Sequence, residues 1–219
     1  MRVEQKYWNN RYVSGGTSGT QSEGESAKWK WNIILKYNPD LSRIIDYGCG
    51  DLRFIEDKKF TNYTGIDSSE IILERNRRLK PSYIFVNSNN PSVETMTPAP
   101  TVLCIDMLFH ISEENEYLRI LHRLNSLTSD LLFVHTWEKN PLDKWYGRIL
   151  LERAKEKLSP RLAFKGIARI LNPGTRYEKD CLFYRPFKSY LPHMPNLDLI
   201  EVAMNANRAG AMYVFKRRG

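Results

Sequence analysis

The chain has 219 residues, 42% of them hydrophobic and 26% charged, which is typical of a soluble globular protein of one domain. It contains no run of 18 apolar residues, and this excludes a membrane-spanning helix of ordinary length. The net charge of +8 lies in the last third: residues 138–219 hold 17 basic and 8 acidic residues, whereas residues 1–137 sum to −1. A local basic surface is therefore expected, not a generally basic protein.

The N-terminal segment, MRVEQKYWNN, lacks the hydrophobic stretch of a secretion signal, so we expect a cytoplasmic protein. Three widely spaced cysteines fit no zinc motif and indicate reduced thiols. The first elements predicted are a helix over residues 3–12, a small, polar and mobile loop over residues 14–26, and a second helix over residues 25–37.

From Arg43 onward, short apolar runs alternate with helical patterns, which predicts a parallel sheet with helices on both faces. The five predicted strands are Arg43–Asp46, Tyr63–Ile66, Tyr83–Val86, Thr101–Ile105 and Leu131–His135. The helices predicted between them are Leu52–Lys59, Ser69–Arg78 and Ser112–Leu127. Two further strands, Leu197–Met204 and Ala211–Lys216, are joined by a loop so short that it allows only antiparallel pairing. The sheet should therefore end in a hairpin.

The first strand runs into a loop with two glycines, in the stretch RIIDYGCGDLRF. Glycines at such a turn remove Cβ and let a ligand approach the backbone. In a dinucleotide loop the third glycine of G-x-G-x-x-G would fall at Arg53, so this spacing does not suit a dinucleotide. Asp46 just before the loop would repel a diphosphate and attract a cation, which favours a positively charged cofactor. A plain structural turn is the alternative.

Asp67 ends the next predicted strand, 21 residues after Asp46. A carboxylate at this place can accept hydrogen bonds from both ribose hydroxyls of a nucleotide. The alternative is a helix cap, because Asp67, Ser68 and Ser69 precede a helical pattern. Both roles are compatible if one of the serines caps the helix while Asp67 binds the ribose.

Together these segments resemble the class I S-adenosylmethionine-dependent methyltransferases of the small-molecule type. IIDYGCGDL is similar to the first motif of that family, with Leu52 in place of its last glycine, YTGIDSS to the second, and VLCIDMLFHI to the motif of the fourth strand. YWNNRYVSGGTSGTQSEG resembles the N-terminal cap of small-molecule members. The resemblance covers residues 5–137 and the closing strands, and it leaves residues 139–192 unmatched.

The fold that this resemblance implies is a doubly wound α/β fold. Its seven-stranded, mostly parallel sheet would have the order 3-2-1-4-5-7-6, with the last strand antiparallel. Within one methyltransferase domain, residues 1–40 would form an N-terminal helical cap and residues 41–138 the cofactor-binding core. Residues 139–192 would form a basic helical insert and residues 193–219 the closing hairpin.

The cofactor that the resemblance implies is S-adenosyl-L-methionine. Gly48 and Gly50 would pass beneath its methionine part, and Asp67 would bind its ribose. The further contacts implied are Trp8 and Tyr12 closing over the cofactor, Asp46 and Ser68 beside the two loops, Asn89 at the adenine, and Ile105 at the methionine end. For the two aromatic residues, simple packing is the alternative.

Methyl transfer is an in-line displacement, and it needs a base only when the acceptor is a hydroxyl or a protonated amine. His110, His135 and Asp106 are the candidate catalytic residues, because they follow the fourth strand or end the fifth. A helix capped by Ser112 would keep His110 neutral, as a base requires. A structural hydrogen bond is the alternative for both histidines. We expect no metal, since His135 and Thr136 stand where a carboxylate and an amide would complete an oxygen-rich site.

The unmatched insert holds two basic amphipathic patterns, Trp145–Leu158 and Pro160–Leu171. Three interpretations stay open, in falling order: a lid on the domain, contact with a membrane surface through residues 145–171, and nucleic-acid binding.

The predicted function is methyl transfer to a small molecule, such as a sugar or glycan hydroxyl or an acidic or phosphorylated acceptor. The alternatives are an RNA or protein methyltransferase, an enzyme acting on a lipid-linked acceptor, and an inactive cofactor-binding module. The oligomeric state is left open.

Overall fold

The structure is a computed structural model that describes residues 2–138, 181–206 and 208–219. Its α-helices in these ranges are α1 (Val3–Val13), α2 (Gly24–Lys36), α3 (Glu70–Leu79) and α4 (Glu114–Leu127). Its strands are β1 (Arg43–Tyr47), β2 (Asn62–Asp67), β3 (Ile84–Asn87), β4 (Ala99–Ile105), β5 (Thr128–Trp137), β6 (Leu197–Met204) and β7 (Gly210–Arg217).

The strands form one sheet in the order β3-β2-β1-β4-β5-β7-β6. The pairs β1–β2, β1–β4, β2–β3 and β4–β5 are parallel, whereas β7 runs antiparallel to both β5 and β6. The predicted α/β fold, its strand order and its closing hairpin are therefore confirmed. The order reverses between β1 and β4, and in sheets of this kind the crevice at such a switch point is where ligands bind.

Two apolar layers cover the sheet, one on each face. Alternation along β5 shows how the sequence supplies both: Leu132 and Val134 pack in the layer with α4, and Leu131 and Phe133 pack in the layer with α2 and α3. Side chains of a strand point alternately to the two faces, so a strand buried on both sides is a continuous hydrophobic run. This explains why LLFV contains no polar residue.

The predicted helix Leu52–Lys59 is wrong. Only a short 3₁₀ turn, Arg53–Ile55, forms there, and Leu52 before it has a left-handed backbone with φ of 66°. The chain therefore reverses direction after the second glycine instead of entering a helix. Phe54 and Ile55 are both buried in the layer that contains Trp31, whose indole nitrogen donates to the Phe54 carbonyl at 2.8 Å.

Other predicted boundaries also shift. Residues 24–26 belong to α2, so the predicted Gly/Ser loop is shorter, and residues 20–22 within it form a 3₁₀ turn. The segment Phe187–His193, which precedes the closing hairpin, forms a 3₁₀ helix. The two amphipathic patterns of residues 145–171 lie outside the described residues. In the part of the chain that the structure describes, no helix is long and apolar enough to cross a membrane.

Candidate functional site

A cavity lies at the carboxyl ends of β1, β2 and β4, beneath α1 and the loop of residues 14–23. Of the predicted site residues, the following line it: Trp8, Tyr12, Asp46, Gly48, Gly50, Asp67, Ser68, Ile105, Asp106 and His110. Two predicted residues, Asn89 and His135, are outside this lining.

Both glycines of the first loop are required by their surroundings. Gly48 and Gly50 have φ of 88° and 49°, in the region that favours glycine. A Cβ on Gly48 would lie 2.5 Å from Cγ of Met107, and one on Gly50 would lie 2.3 Å from Oγ of Ser18. The glycine loop therefore lies close to Met107, which follows β4, and to Ser18 in the 14–23 loop. A side chain at Gly48 would displace Met107, and one at Gly50 would displace Ser18.

Asp67 lies at the centre of the cavity floor. Its Oδ2 accepts a hydrogen bond from the Gly50 amide at 3.0 Å, and its Oδ1 accepts one from the Ser69 amide at 2.9 Å. Burial raises the pKa of this carboxyl, and the amide donors oppose that rise. Neither Ser68 nor Ser69 caps α3 with its side chain: Ser69 holds the N-cap position without a side-chain cap bond. Asp67 instead accepts hydrogen bonds from the two amides, and each of its carboxylate oxygens has a further lone pair that can accept another.

Acidic side chains outnumber basic ones in the cavity lining. Asp46 is buried, accepts a hydrogen bond from the Tyr63 hydroxyl at 2.7 Å, and has its pKa raised to about 7 by burial. The ionisable lining residues besides histidine, tyrosine and cysteine are Glu4, Asp46, Asp51, Asp67, Asp106 and Glu116 on the acidic side, and Arg2 and Arg53 on the basic side. In the described ranges, no group of three or more His, Cys, Asp or Glu side chains is arranged to hold a metal ion.

At the end of β3 the structure differs from the expected contact. Asn89 is exposed and is not part of the cavity lining, although its Oδ1 accepts a hydrogen bond at 2.9 Å from Arg2, which does line the cavity. Ser88 is buried and lines the cavity instead. Its amide donates to the Asp67 carbonyl at 2.8 Å, and its carbonyl accepts from Arg123 at 2.7 Å. The backbone turn after β3 thus brings in the residue before the predicted one.

His110 lines the cavity in a defined orientation. Its Nδ1 lies 2.7 Å from the carbonyl oxygen of Cys181, and its ring packs edge-on to Trp8 at 4.9 Å. A carbonyl can only accept, so Nδ1 carries the proton and Nε2 has a free lone pair. Burial lowers the pKa of His110 to about 4. The helix expected to keep it neutral begins at Glu114 without a side-chain cap, and Ser112 donates to Glu4 at 3.0 Å, so the predicted cap at Ser112 is wrong.

Asp106 is engaged on both oxygens. Oδ1 lies 2.5 Å from Nδ1 of His135, and Oδ2 accepts a hydrogen bond from Lys30. Burial would raise the pKa of Asp106, but His135 and Lys30 outweigh it and lower that pKa to about 2. Asp106 is thus a fixed anion, not a proton acceptor at neutral pH. The ring of His135 is buried, and among the described residues its Nε2 has no hydrogen-bond partner.

Sequence reasoning missed Lys30. In the stretch AKWKWNIILK the residue reads as one of several lysines on an amphipathic helix, yet its side chain is completely buried whereas that of Lys28 is exposed. No local pattern distinguishes the two, because the partner of Lys30 lies 76 residues away in the sequence. The lysine between two tryptophans was the only available signal.

No protein-family model matches the sequence, and no curated protein does. Solved structures are similar over nearly the whole chain. An S-adenosylmethionine-dependent methyltransferase from Anabaena variabilis has a TM-score of 0.65 at 15% identity, with 100% of this chain and 96% of that chain covered. N-methyltransferase NodS from Bradyrhizobium japonicum, in complex with S-adenosyl-L-homocysteine, has a TM-score of 0.63 at 9% identity and covers 100% of both chains.

Magnesium protoporphyrin IX methyltransferase from Synechocystis, with S-adenosylhomocysteine bound, has a TM-score of 0.59 at 14% identity, with 99% of each chain covered. At such identities the likeness establishes the fold. The chain has the seven-stranded Rossmann-like fold of class I S-adenosylmethionine-dependent methyltransferases, as the sequence motifs implied.

Proposed function

We propose that this protein is an S-adenosylmethionine-dependent methyltransferase that acts on a small molecule. The observation that carries the proposal is the position of Asp67, whose carboxylate lies in the cavity at a switch point of the sheet and is bonded to the Gly50 amide. A carboxylate in this place suits a ribose diol. Solved structures of this fold that hold S-adenosylhomocysteine support the choice of cofactor.

The residues present fit the implied cofactor. Its sulfonium and ammonium groups together outweigh its carboxylate, so it carries net positive charge and suits a lining with more carboxylates than cations. A dinucleotide, with two phosphates, would meet repulsion from Asp46 beside the glycine loop. When bound, S-adenosylmethionine supplies an electrophilic methyl group. In this proposal Asp67 holds the ribose, Ser88 lies at the adenine, and Gly48 and Ile105 border the methionine end.

His110 is proposed as the general base. Its Nδ1 is held by the Cys181 carbonyl, so its Nε2 can take a proton from an acceptor hydroxyl as the new bond to carbon forms. Trp8 and Phe109 pack on the imidazole at ring distances of 4.9 Å and 4.4 Å and help to fix its orientation. His135 lies outside the lining, and we assign it to holding Asp106 in place.

A neutral acceptor, such as a sugar or glycan hydroxyl, fits this lining better than an acidic one. Of the two lining arginines that the structure describes, Arg2 is paired with Glu4 and Glu116, and Arg53 is paired with Asp51 and Glu23. Neither offers a free charge to a phosphate or carboxylate. RNA or protein as acceptor ranks lower, because two cations of the closing hairpin, Lys216 and Arg218, are themselves paired with aspartates.

The proposal is tested by titrating S-adenosylhomocysteine into the protein in a calorimeter. We expect binding by the wild type, and a loss of affinity of about 10-fold or more in Asp67→Ala, because two charge-assisted hydrogen bonds to ribose disappear. Asp57→Asn is the control, because Asp57 is exposed and lies outside the cavity. The affinity of this variant for S-adenosylhomocysteine should equal that of the wild type.

A melting curve of each variant without ligand shows that it is folded at the titration temperature. Absence of binding by the folded wild type would overturn the proposed function. Binding that survives unchanged in folded Asp67→Ala would remove Asp67 from the ribose site. A methyl-transfer screen over sugars, lipid-linked glycans and metabolites then identifies the acceptor.

A further inference from the structure

Lys30 on α2 is a cation held inside the protein. Its side chain has 0% relative exposure, and its Nζ donates to the Gln21 carbonyl at 2.9 Å and to Oδ2 of Asp106. The ring of Phe54 lies 6.0 Å from the ammonium nitrogen. Burying an ammonium is costly unless the charge is paired and hydrogen-bonded, so a lysine in such a place calls for an account of what it holds.

One partner of Lys30 is the turn that leaves β4. Asp106 has φ of 57°, a left-handed conformation that is unfavourable for a residue with a side chain. Its amide donates to the His135 carbonyl at 3.0 Å, and its carboxylate is held by Lys30 and His135. The chain then enters the 3₁₀ turn Leu108–His110, which carries the candidate base. The ion pair with Lys30 therefore stabilises the conformation that sets where His110 lies.

The other partner of Lys30 belongs to the roof of the cavity. Gln21 is the middle residue of the 3₁₀ turn Thr20–Ser22, and Ser22 next to it is buried and lines the cavity. The same loop also contacts the floor of the cavity at an earlier residue, where the Ser18 amide donates a hydrogen bond to Asp51 at 3.0 Å. One ammonium group thus joins the roof of the cavity to the wall that bears Asp106.

We propose that Lys30 is a positioning residue that fastens the 14–23 loop to the Asp106 turn and so preassembles the cofactor cavity. It acts through Gln21 and Asp106 and does not itself line the cavity. The inference rests on the proposed function, because the cavity it assembles is the one assigned to S-adenosylmethionine. A purely structural lysine would affect the free energy of unfolding but not the affinity of the folded protein.

Two variants on the same helix separate these roles. Lys30→Met keeps the aliphatic stem and removes the ammonium. Lys28→Met makes the same change at a lysine whose side chain is 72% exposed and, within the described ranges, is hydrogen-bonded only to Glu25. In ligand-free protein, we expect Lys30→Met to increase amide hydrogen exchange in residues 18–23. The affinity for S-adenosylhomocysteine should fall about 10-fold or more, as for a lost charged hydrogen bond, whereas Lys28→Met should match the wild type in both.

A double variant covers the case in which a lone buried charge prevents folding. Lys30→Met combined with Asp106→Asn removes both charges, and this is less destabilising than leaving one of them unpaired. Its 14–23 loop should still exchange faster than in the wild type, and its affinity should be lower. Where both single variants fold and Lys30 acts through Asp106, the double variant should lose less affinity than the two single losses combined.

The outcomes are distinct from those that test the cofactor assignment. If the wild type fails to bind S-adenosylhomocysteine, the proposed function falls. If the wild type binds and the folded Lys30→Met variant shows wild-type exchange and affinity, then Lys30 has no positioning role. If Lys30→Met does not fold, the same result in the double variant leads to the same conclusion.

Discussion

At the scale of single residues, the protonation of His110 affects stability and, in the proposed mechanism, the chemistry. Its pKa of about 4 lies below the ordinary value of 6.5, because the ring is buried. Between these values the unfolded chain binds a proton that the folded chain does not, so the free energy of unfolding falls as the pH drops from 6.5 to 4. Asp46 acts in the opposite sense, because its pKa of about 7 lies above the ordinary value of 3.8. Between these values the folded chain holds a proton that the unfolded chain has released, so the free energy of unfolding falls as the pH rises from 3.8 to 7.

The substitution His110→Gln should abolish the base and the titration together. We expect turnover of a hydroxyl acceptor to fall about 100-fold or more, the usual contribution of a general base. Urea unfolding at pH 7 and pH 4.5 should show a smaller loss of stability in the variant than in the wild type, because glutamine does not take up a proton. Unchanged turnover would remove His110 from the chemistry, and an equal pH dependence would assign the acid sensitivity to other groups.

Leu52 shows how a left-handed backbone and burial compete at one position. A left-handed conformation costs a residue with a side chain about 1–2 kcal/mol, whereas removing a buried leucine side chain costs about 2–5 kcal/mol. We therefore expect Leu52→Gly to lower the free energy of unfolding by about 2 kcal/mol, although it restores the glycine of the family motif.

The comparison variant is Arg208→Gly, at an exposed residue with φ of 57°. Here the relief of the left-handed backbone is offset by the greater freedom of glycine in the unfolded chain, so the change should be within about 0.5 kcal/mol of zero. Chemical denaturation measures both. A Leu52→Gly protein more stable than the wild type would show that backbone strain outweighs burial.

At the scale of elements, the 14–23 loop is bound to the glycine loop by reciprocal contacts. The Ser18 amide donates to Asp51, the Asp51 amide donates to Oγ of Ser18 at 3.1 Å, and the Tyr12 hydroxyl lies 3.2 Å from that Oγ. A segment predicted as a mobile loop from its glycines and serines thus has defined contacts on the β1 turn. Small residues here permit close approach.

The substitution Ser18→Ala removes the acceptor of the Asp51 amide and leaves that amide without its partner. A lost hydrogen bond of this kind costs about 1–2 kcal/mol, so we expect S-adenosylhomocysteine to dissociate roughly 5–30 times faster. Stopped-flow fluorescence of the tryptophans reports the rate. Ser14→Ala is the control, because among the described residues the exposed Ser14 hydroxyl donates only to the Arg11 carbonyl. Equal rates in all three proteins would mean that the loop does not retain the cofactor.

At the scale of the whole molecule, hydrophobic periodicity and short connections predicted a parallel sheet that ends in a hairpin, whereas the strand order was implied by the resemblance to a known family. Leu131–Val134 is apolar on both faces because it is covered on both, and the short loop before β7 allowed only a hairpin. The helix predicted at Leu52 failed because a left-handed residue, held by tertiary packing, interrupts it. Periodicity contains no information on such a backbone conformation.

The site was predictable where a motif specifies it and not where distant segments meet. Gly48, Gly50 and Asp67 belong to segments that resemble motifs of a known family, and the structure brings them together. Lys30 pairs with Asp106, and the Cys181 carbonyl orients His110, over 76 and 71 residues of sequence, and no local pattern encodes either contact. Ser88 lines the cavity and Asn89 does not, a one-residue difference in a turn that sequence spacing does not resolve.

The antiparallel hairpin has a consequence for how the chain folds. β7 follows β6 in sequence but lies between β5 and β6, and it pairs with β5 along Leu131–Trp137. Until β7 arrives, β5 has one unpaired edge of apolar residues, which is the kind of edge that recruits strands from other chains. Docking of β7 also closes a loop of more than 70 residues, a slow step for contacts so distant in sequence. We therefore expect the docking of β7 to be the step that determines the folding rate, and its duration to determine how long the exposed edge of β5 can aggregate.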